Sequence, residues 1–258
     1  MKKSLVTLGL AIALAVAVFI SPAKADHSWG GYHWARTQNP FTLTVAENLS
    51  SVWHPIFSTT ISDWSQSSVL DLNSILGTNT VKRCKATAGR IEVCNSKYGN
   101  NGWLGLAQIW ISGGVHITAG TTKVNDTYFN TPKYNTEAWR NLVMCQEVGH
   151  TLGLDHQDEI FDNPNLGTCM DYTSNPSTNQ HPNTHDYDEL VTIYSHLDTS
   201  TTIGSALPSG HGNGYQVNAD DPSEWGQPAR ESKGVAVYER DFGNGQKLVT
   251  FVIKTLAE

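Results

Sequence analysis

The residues whose types and spacing can do chemistry lie between positions 144 and 172. They include Gln146, Glu147, Val148, Gly149, His150, Thr151, Leu152, Gly153, Leu154, Asp155 and His156, followed by Thr168, Cys169, Met170, Asp171 and Tyr172. On a helix, residues four apart share a face, so Gln146 and His150 point the same way. Glu147 sits one step round from Gln146, within reach of a water held by an ion. Gly153 falls beyond His150, where a glycine can take the left-handed conformation that ends a helix. The chain can then turn back and bring His156 to the same point. Two imidazoles, an amide oxygen and an open position would make a catalytic zinc site. The ion would lower the pKa of its water, and Glu147 would take the proton. The plain alternative is an amphipathic helix with incidental histidines.

This stretch resembles the metzincin zinc metallopeptidases, whose signature is H-E-x-x-H-x-x-G-x-x-H followed by a Met-turn. Glu147, His150, Gly153 and His156 match it, and Met170 and Tyr172 match the Met-turn in the form Met-x-Tyr. That form is similar to the astacin-like and serralysin-like members, and the resemblance spans roughly residues 40–198. It implies an α/β (α+β) fold: a twisted, mostly parallel sheet with an antiparallel edge strand, an active-site helix, the Met-turn and a C-terminal helix. It implies a zinc-dependent endopeptidase with a peptide or protein substrate. Tyr172 would then ligate zinc or steady the oxyanion. Residues 104–110 resemble the edge strand that metzincins lay beside the substrate, where unpaired backbone groups meet an extended peptide. Gln146 departs from the pattern, standing where the first zinc histidine belongs. Its amide oxygen is a neutral, hard donor, so weaker zinc binding is implied, with a more electrophilic ion if it stays bound. Two rivals follow: a catalytically impaired metzincin-fold protein acting as a secreted binding module, and a structural domain stiffened by its metal. Glu147 favours the enzyme, because a structural site needs no general base.

The elements that would position these residues can be traced along the chain. Asn135 or Thr136 can cap the helix, with Glu137 in its first turn. Trp139, Leu142, Val143, Val148 and Leu152 supply apolar support. Upstream, residues 41–45 alternate as a strand, F-T-L-T-V. Ser50 or Ser51 can cap a helix to about Ser65, with Pro55 near its start and Val52, Ile56, Ile61 and Trp64 on its apolar face. Residues 69–76 form the next strand, giving the strand–helix–strand opening of an α/β sheet. Residues 80–95 suggest a disulfide-closed hairpin, and residues 102–124 a strand-rich segment broken at Ser112-Gly113-Gly114. After the Met-turn, residues 186–197 carry a stripe at Tyr187, Leu190, Val191, Tyr194 and Leu197. Residues 199–230 change to Thr, Ser, Gly and Pro, a linker or irregular wrap. A hairpin follows around Asp241-Phe242-Gly243-Asn244-Gly245. It is too small to fold alone and should pack on the main domain.

The four cysteines allow three pairings. The preferred set is Cys84 with Cys94, closing a short loop, and Cys145 with Cys169, tying the helix to the floor of the site. No C-x-x-C pair argues for a cysteine zinc site.

Other histidines and acids are weaker candidates. His27, His33 and His54 are expected as exposed residues, and His116 as a packed one. His181 and His185 are the runner-up ligands, expected in a loop and a cap. Asp158, Glu159, Asp162, Asn163 and Asn165 form an oxygen-rich loop that could hold calcium, although its spacing is not that of an EF-hand.

Residues 1–25 have the form of a secretion signal: Lys2 and Lys3, an apolar run, then Ala23-Lys24-Ala25. The run is short for a membrane span. The expected organisation is therefore a signal at 1–25, a catalytic domain at 26–198 and a linker with a hairpin extension at 199–258. Removing the signal leaves about 230 residues, enough for one large domain. It also makes the chain three units more acidic than the formal −7 of the whole. An acidic exterior argues against nucleic acid or an anionic membrane as partner. The expectation is a secreted monomer with disulfides formed in an oxidising compartment. No cysteine-bearing pro-segment is recognisable, so no latch of that kind is expected.

Overall fold

The computed structural model describes residues 27–79, 82–204, 217–218 and 221–256. The expected signal and most of the 205–220 stretch lie outside the described residues. Among the described residues, no helix is long and apolar enough to cross a membrane.

One sheet of nine strands carries the fold. Strand β1 is His33–Trp34, β2 is Phe41–Asn48, β3 is Leu70–Leu76, β4 is Ile91–Ser96, β5 is Trp103–Ser112 and β6 is His116–Asn125. The last three are β7 (Gln227–Glu231), β8 (Val235–Gly243) and β9 (Gln246–Lys254). The order is β3-β2-β4-β6-β5-β9-β8-β7, with β1 also pairing with β6. From β3 to β6 the neighbours are parallel; from β6 to β7 they are antiparallel. Among the described residues there are four α-helices: α1 (His54–Trp64), α2 (Asp126–Phe129), α3 (Glu137–Thr151) and α4 (Thr184–Ile193); α1, α2 and α3 pack on the sheet.

The alternation at the start of β2 buries Phe41, Leu43 and Val45 in the core. Helix α1 starts later than expected. No serine caps it: Trp53 is the N-cap residue and makes no side-chain cap bond, while Pro55 lies in the first turn. Its buried face is Ile56, Phe57, Thr60 and Trp64, whereas Val52 is exposed before the helix begins. The expected hairpin at 80–95 is absent as such. Its second half, β4, is inserted in parallel between β2 and β6. The Cys84–Cys94 disulfide still closes the loop leading into β4. Local sequence cannot distinguish these outcomes, because parallel pairing is decided by distant strands.

The main difference concerns β5. It is antiparallel to β6, as expected, but it is not an edge. Strand β9 pairs along it, with Gly105 opposite Ile253, Ala107 opposite Phe251 and Ile109 opposite Val249. The C-terminal hairpin therefore occupies the edge expected to receive a peptide. Nine of the ten β5 residues are buried, and only Ser112 is partly open. Helix α4 ends at Ile193, and the expected stripe holds only in part: Leu190, Ile193 and Tyr194 are buried, whereas Val191 within the helix and Leu197 beyond it are exposed.

Candidate active site

Helix α3 is set by local chemistry. The Thr136 hydroxyl accepts the Trp139 backbone N–H at 3.3 Å, satisfying one free donor at the helix start. Buried residues run without a break from Trp139 to Thr151, so this helix lies inside the molecule. At its other end the Gly153 N–H donates to the His150 carbonyl at 3.1 Å. Gly153 has φ +100°, and a β-carbon there would lie 2.2 Å from the Tyr32 carbonyl oxygen. Only glycine fits this reversal.

The reversal brings His156 back to His150. Their Nε2 atoms are 3.1 Å apart, with the rings nearly perpendicular at 79°. Each ring is fixed through its other nitrogen. His150 Nδ1 meets the Leu154 carbonyl at 2.9 Å, and His156 Nδ1 meets Glu159 Oε1 at 3.0 Å. Both Nε2 atoms are thus turned toward one point, as in imidazoles oriented for a metal. Burial and the neighbouring His156 hold the pKa of His150 well below the usual range, favouring the neutral ring that ligates metals. Burial would lower the His156 pKa, but Asp155 and Glu159 outweigh it and raise it.

Gln146 and Glu147 are fully buried. Neither atom of the Gln146 amide and neither Glu147 carboxylate oxygen closes a hydrogen bond. Leaving such groups unpaired costs about 1–3 kcal/mol each, so they mark a place for an ion or water. Two oriented imidazoles, with an orphaned amide oxygen one helical turn before His150 on α3, fit the borderline donor set of zinc. Burial pushes the Glu147 pKa well above the carboxylate range; the backbone amides of Ile253 and Ala107 lie close enough to offset part of this.

The segment around Met170 lies against α3. The Cys145–Cys169 disulfide joins it to α3. A β-carbon on Gly149 would lie 2.6 Å from Met170 Sδ and 2.7 Å from Trp64 Cζ2, which shows how closely helix, Met170 and α1 are packed. Replacing both Cys145 and Cys169 with Ala is expected to cost about 2–5 kcal/mol. Urea unfolding of the variant against wild type measures this, and an unchanged midpoint would contradict it.

Several residues at the site had no expected role. Arg230 on β7, inside the expected linker, donates through Nη1 to Asp155 Oδ2 at 2.9 Å and pairs with Glu159 at 2.8 Å. Burial would raise the Asp155 pKa, but hydrogen bonds from His156 and Arg230 hold it far below the usual range. Phe251 on β9 stacks on His150, with centroids 4.2 Å apart and planes 6° from parallel. Gly105 lets β5 approach Glu147: a β-carbon there would be 2.5 Å from Oε1. Gly234 likewise clears the Tyr172 ring. Tyr172 is buried, its hydroxyl donates to the Lys254 carbonyl at 3.5 Å, and burial raises its pKa strongly.

The remaining histidines lie elsewhere. His181 pairs with Asp63 at 2.7 Å, and His185 stacks on His27 at 4.8 Å. His116 is partly exposed and lies 3.2 Å from Asp198, so it is not the expected packed residue. His54 is exposed and pairs with Glu47, as a helix-surface residue would. His27 and His33 are buried rather than exposed. In the oxygen-rich loop expected to suit calcium, each of the following groups has a protein partner. Asp158 binds Asn163, Glu159 binds His156 and Arg230, and Asn165 binds Asn175 and Thr178.

No protein-family model matches this chain, and no curated protein matches it. Among solved structures, it is similar to myroilysin with a TM-score of 0.33 and 11% identity, over 68% of this chain and 97% of that one. A likeness at that level carries no weight for function.

Proposed function

We propose that this protein is a secreted zinc endopeptidase whose substrate edge is covered by its own C-terminal hairpin. Gln146, His150 and His156 hold the metal, Glu147 is the general base and Tyr172 assists the oxyanion. The observation that carries this reading is the pair of Nε2 atoms 3.1 Å apart, each ring fixed through Nδ1, with an unpartnered Gln146 amide and Glu147 carboxylate one turn before His150 on the same helix.

Zinc at such a site supplies Lewis acidity, polarising a peptide carbonyl and acidifying water. The chain supplies the rest. Glu147, whose carboxyl burial pushes well above the usual carboxylate range, takes a proton from water and returns it to the departing amine. Tyr172 keeps its proton at any working pH, so its hydroxyl can donate to an oxyanion once Lys254 has moved away. A peptide would pair with β5 as an added strand, and β9 now holds that position. Displacement of the hairpin would therefore precede cleavage.

The covering itself supports a second reading. With Phe251 stacked on His150, the chain could be a binding module that never opens the site. A peptide-release assay on protein trimmed of residues 227–258 separates the two. Cleavage that a chelator stops and zinc restores is expected. Cleavage indifferent to chelator would overturn the metal reading, and no cleavage at all would favour the binding module.

A further inference from the structure

A second cluster of ligand-type side chains lies outside the site described above. It gathers three segments far apart in sequence: His33 on β1, His116 at the start of β6, and His196 with Asp198 just after α4. Strands β1 and β6 pair with His33 directly opposite His116. Ligand atoms of His33, His196 and Asp198 all lie within 4.8 Å of one another.

The distances are those of a coordination shell. His33 Nε2 is 3.2 Å from His196 Nε2 and 3.5 Å from Asp198 Oδ1. Asp198 Oδ1 is also 3.2 Å from His116 Nε2 and 3.8 Å from His196 Nε2. Ligands about 2.0–2.1 Å from a tetrahedral ion stand roughly 3.3 Å from each other. The rings radiate rather than stack: His33 is at 90° to His196 and at 82° to His116.

The supporting contacts leave the facing atoms available. His33 Nδ1 meets the Gly31 carbonyl at 2.8 Å, which places the proton on Nδ1 and the lone pair on Nε2. Arg36 occupies the other carboxylate oxygen of Asp198, donating through Nη1 at 3.0 Å and through its backbone N–H at 3.1 Å. Such partners fix a ligand and orient it. Three imidazoles and one carboxylate suit zinc among the common divalent ions.

We infer that His33, His196 and Asp198, with His116 beside them, form a second, structural zinc site that clamps β1, β6 and the segment after α4. The competing account is a hydrogen-bond chain, with His196 donating to His33 and His116 donating to Asp198.

The test is a zinc titration of tag-free protein carrying His150→Ala and His156→Ala, which removes the other centre. This protein should bind one zinc per chain, and zinc should raise its melting temperature. Adding His196→Ala, a half-exposed position, should leave the zinc-free melting temperature unchanged. It should weaken zinc by more than the 10–100-fold typical of losing an outer partner and remove the zinc-induced rise. Unchanged zinc affinity in the His196→Ala protein, or no zinc binding before that change, would overturn the site. Should the double variant fail to fold, the comparison is made in the wild-type chain. There His196→Ala must lower the zinc count by one, and an unchanged count would overturn the inference. None of these readouts uses peptidase activity, so they stand apart from the proposed function.

Discussion

Glu147→Gln is expected to reduce peptide cleavage by the trimmed protein by about 10²–10⁴-fold, the usual worth of a positioned general base. The substitution keeps the shape of the side chain and removes its capacity to take a proton. Fold and metal content should survive, because Glu147 is buried between α3 and β5 and is not among the proposed ligands. An uncharged amide also suits a site where burial already disfavours the carboxylate. Initial rates at saturating and limiting peptide, with zinc content measured on the same samples, decide it. Equal rates for wild type and variant would remove Glu147 from the mechanism.

The second large effect is expected from the C-terminal hairpin. In the intact chain β9 is hydrogen-bonded along β5, Phe251 covers His150 and Arg230 pins Asp155. If opening costs about 3 kcal/mol, roughly one molecule in a hundred is competent, and apparent activity falls in proportion. Removing residues 227–258 should raise the cleavage rate at least ~10-fold over the intact protein. Trimming bares the apolar edge of β5, so Phe251→Ala provides a variant with the chain complete. That change should loosen the cover at a cost of about 3–5 kcal/mol and raise activity in the same direction. If the intact protein cleaves as fast as both, the hairpin does not control access.

How much of this was visible in the sequence depended on how local each signal was. The start of α3 at Thr136, its end before Gly153 and the return to His156 are written within a few residues, and the structure follows them. Both expected disulfides form. The C-terminal turn was also legible: Gly243, Asn244 and Gly245 all have positive φ, as a tight hairpin requires. What the turn could not reveal was which sheet edge the hairpin would join. A strand pattern states which face is apolar but not its neighbour, so β5 was expected to be free. Arg230 lies in a stretch whose composition suggested a linker, and its role exists only through Asp155 and Glu159 on another loop. His33 was expected as an exposed histidine because its partners, His196 and Asp198, are more than 160 residues away. Burial of a polar side chain is decided by such distant partners.

The central claim is that Gln146, His150 and His156 share one metal ion. Zinc-edge anomalous diffraction from crystals of tag-free protein grown with zinc tests it most directly. The account predicts a peak about 2.0–2.2 Å from His150 Nε2, His156 Nε2 and the Gln146 amide oxygen. No peak between the two imidazoles, or a peak there with Gln146 turned away and another residue completing the shell, would contradict it.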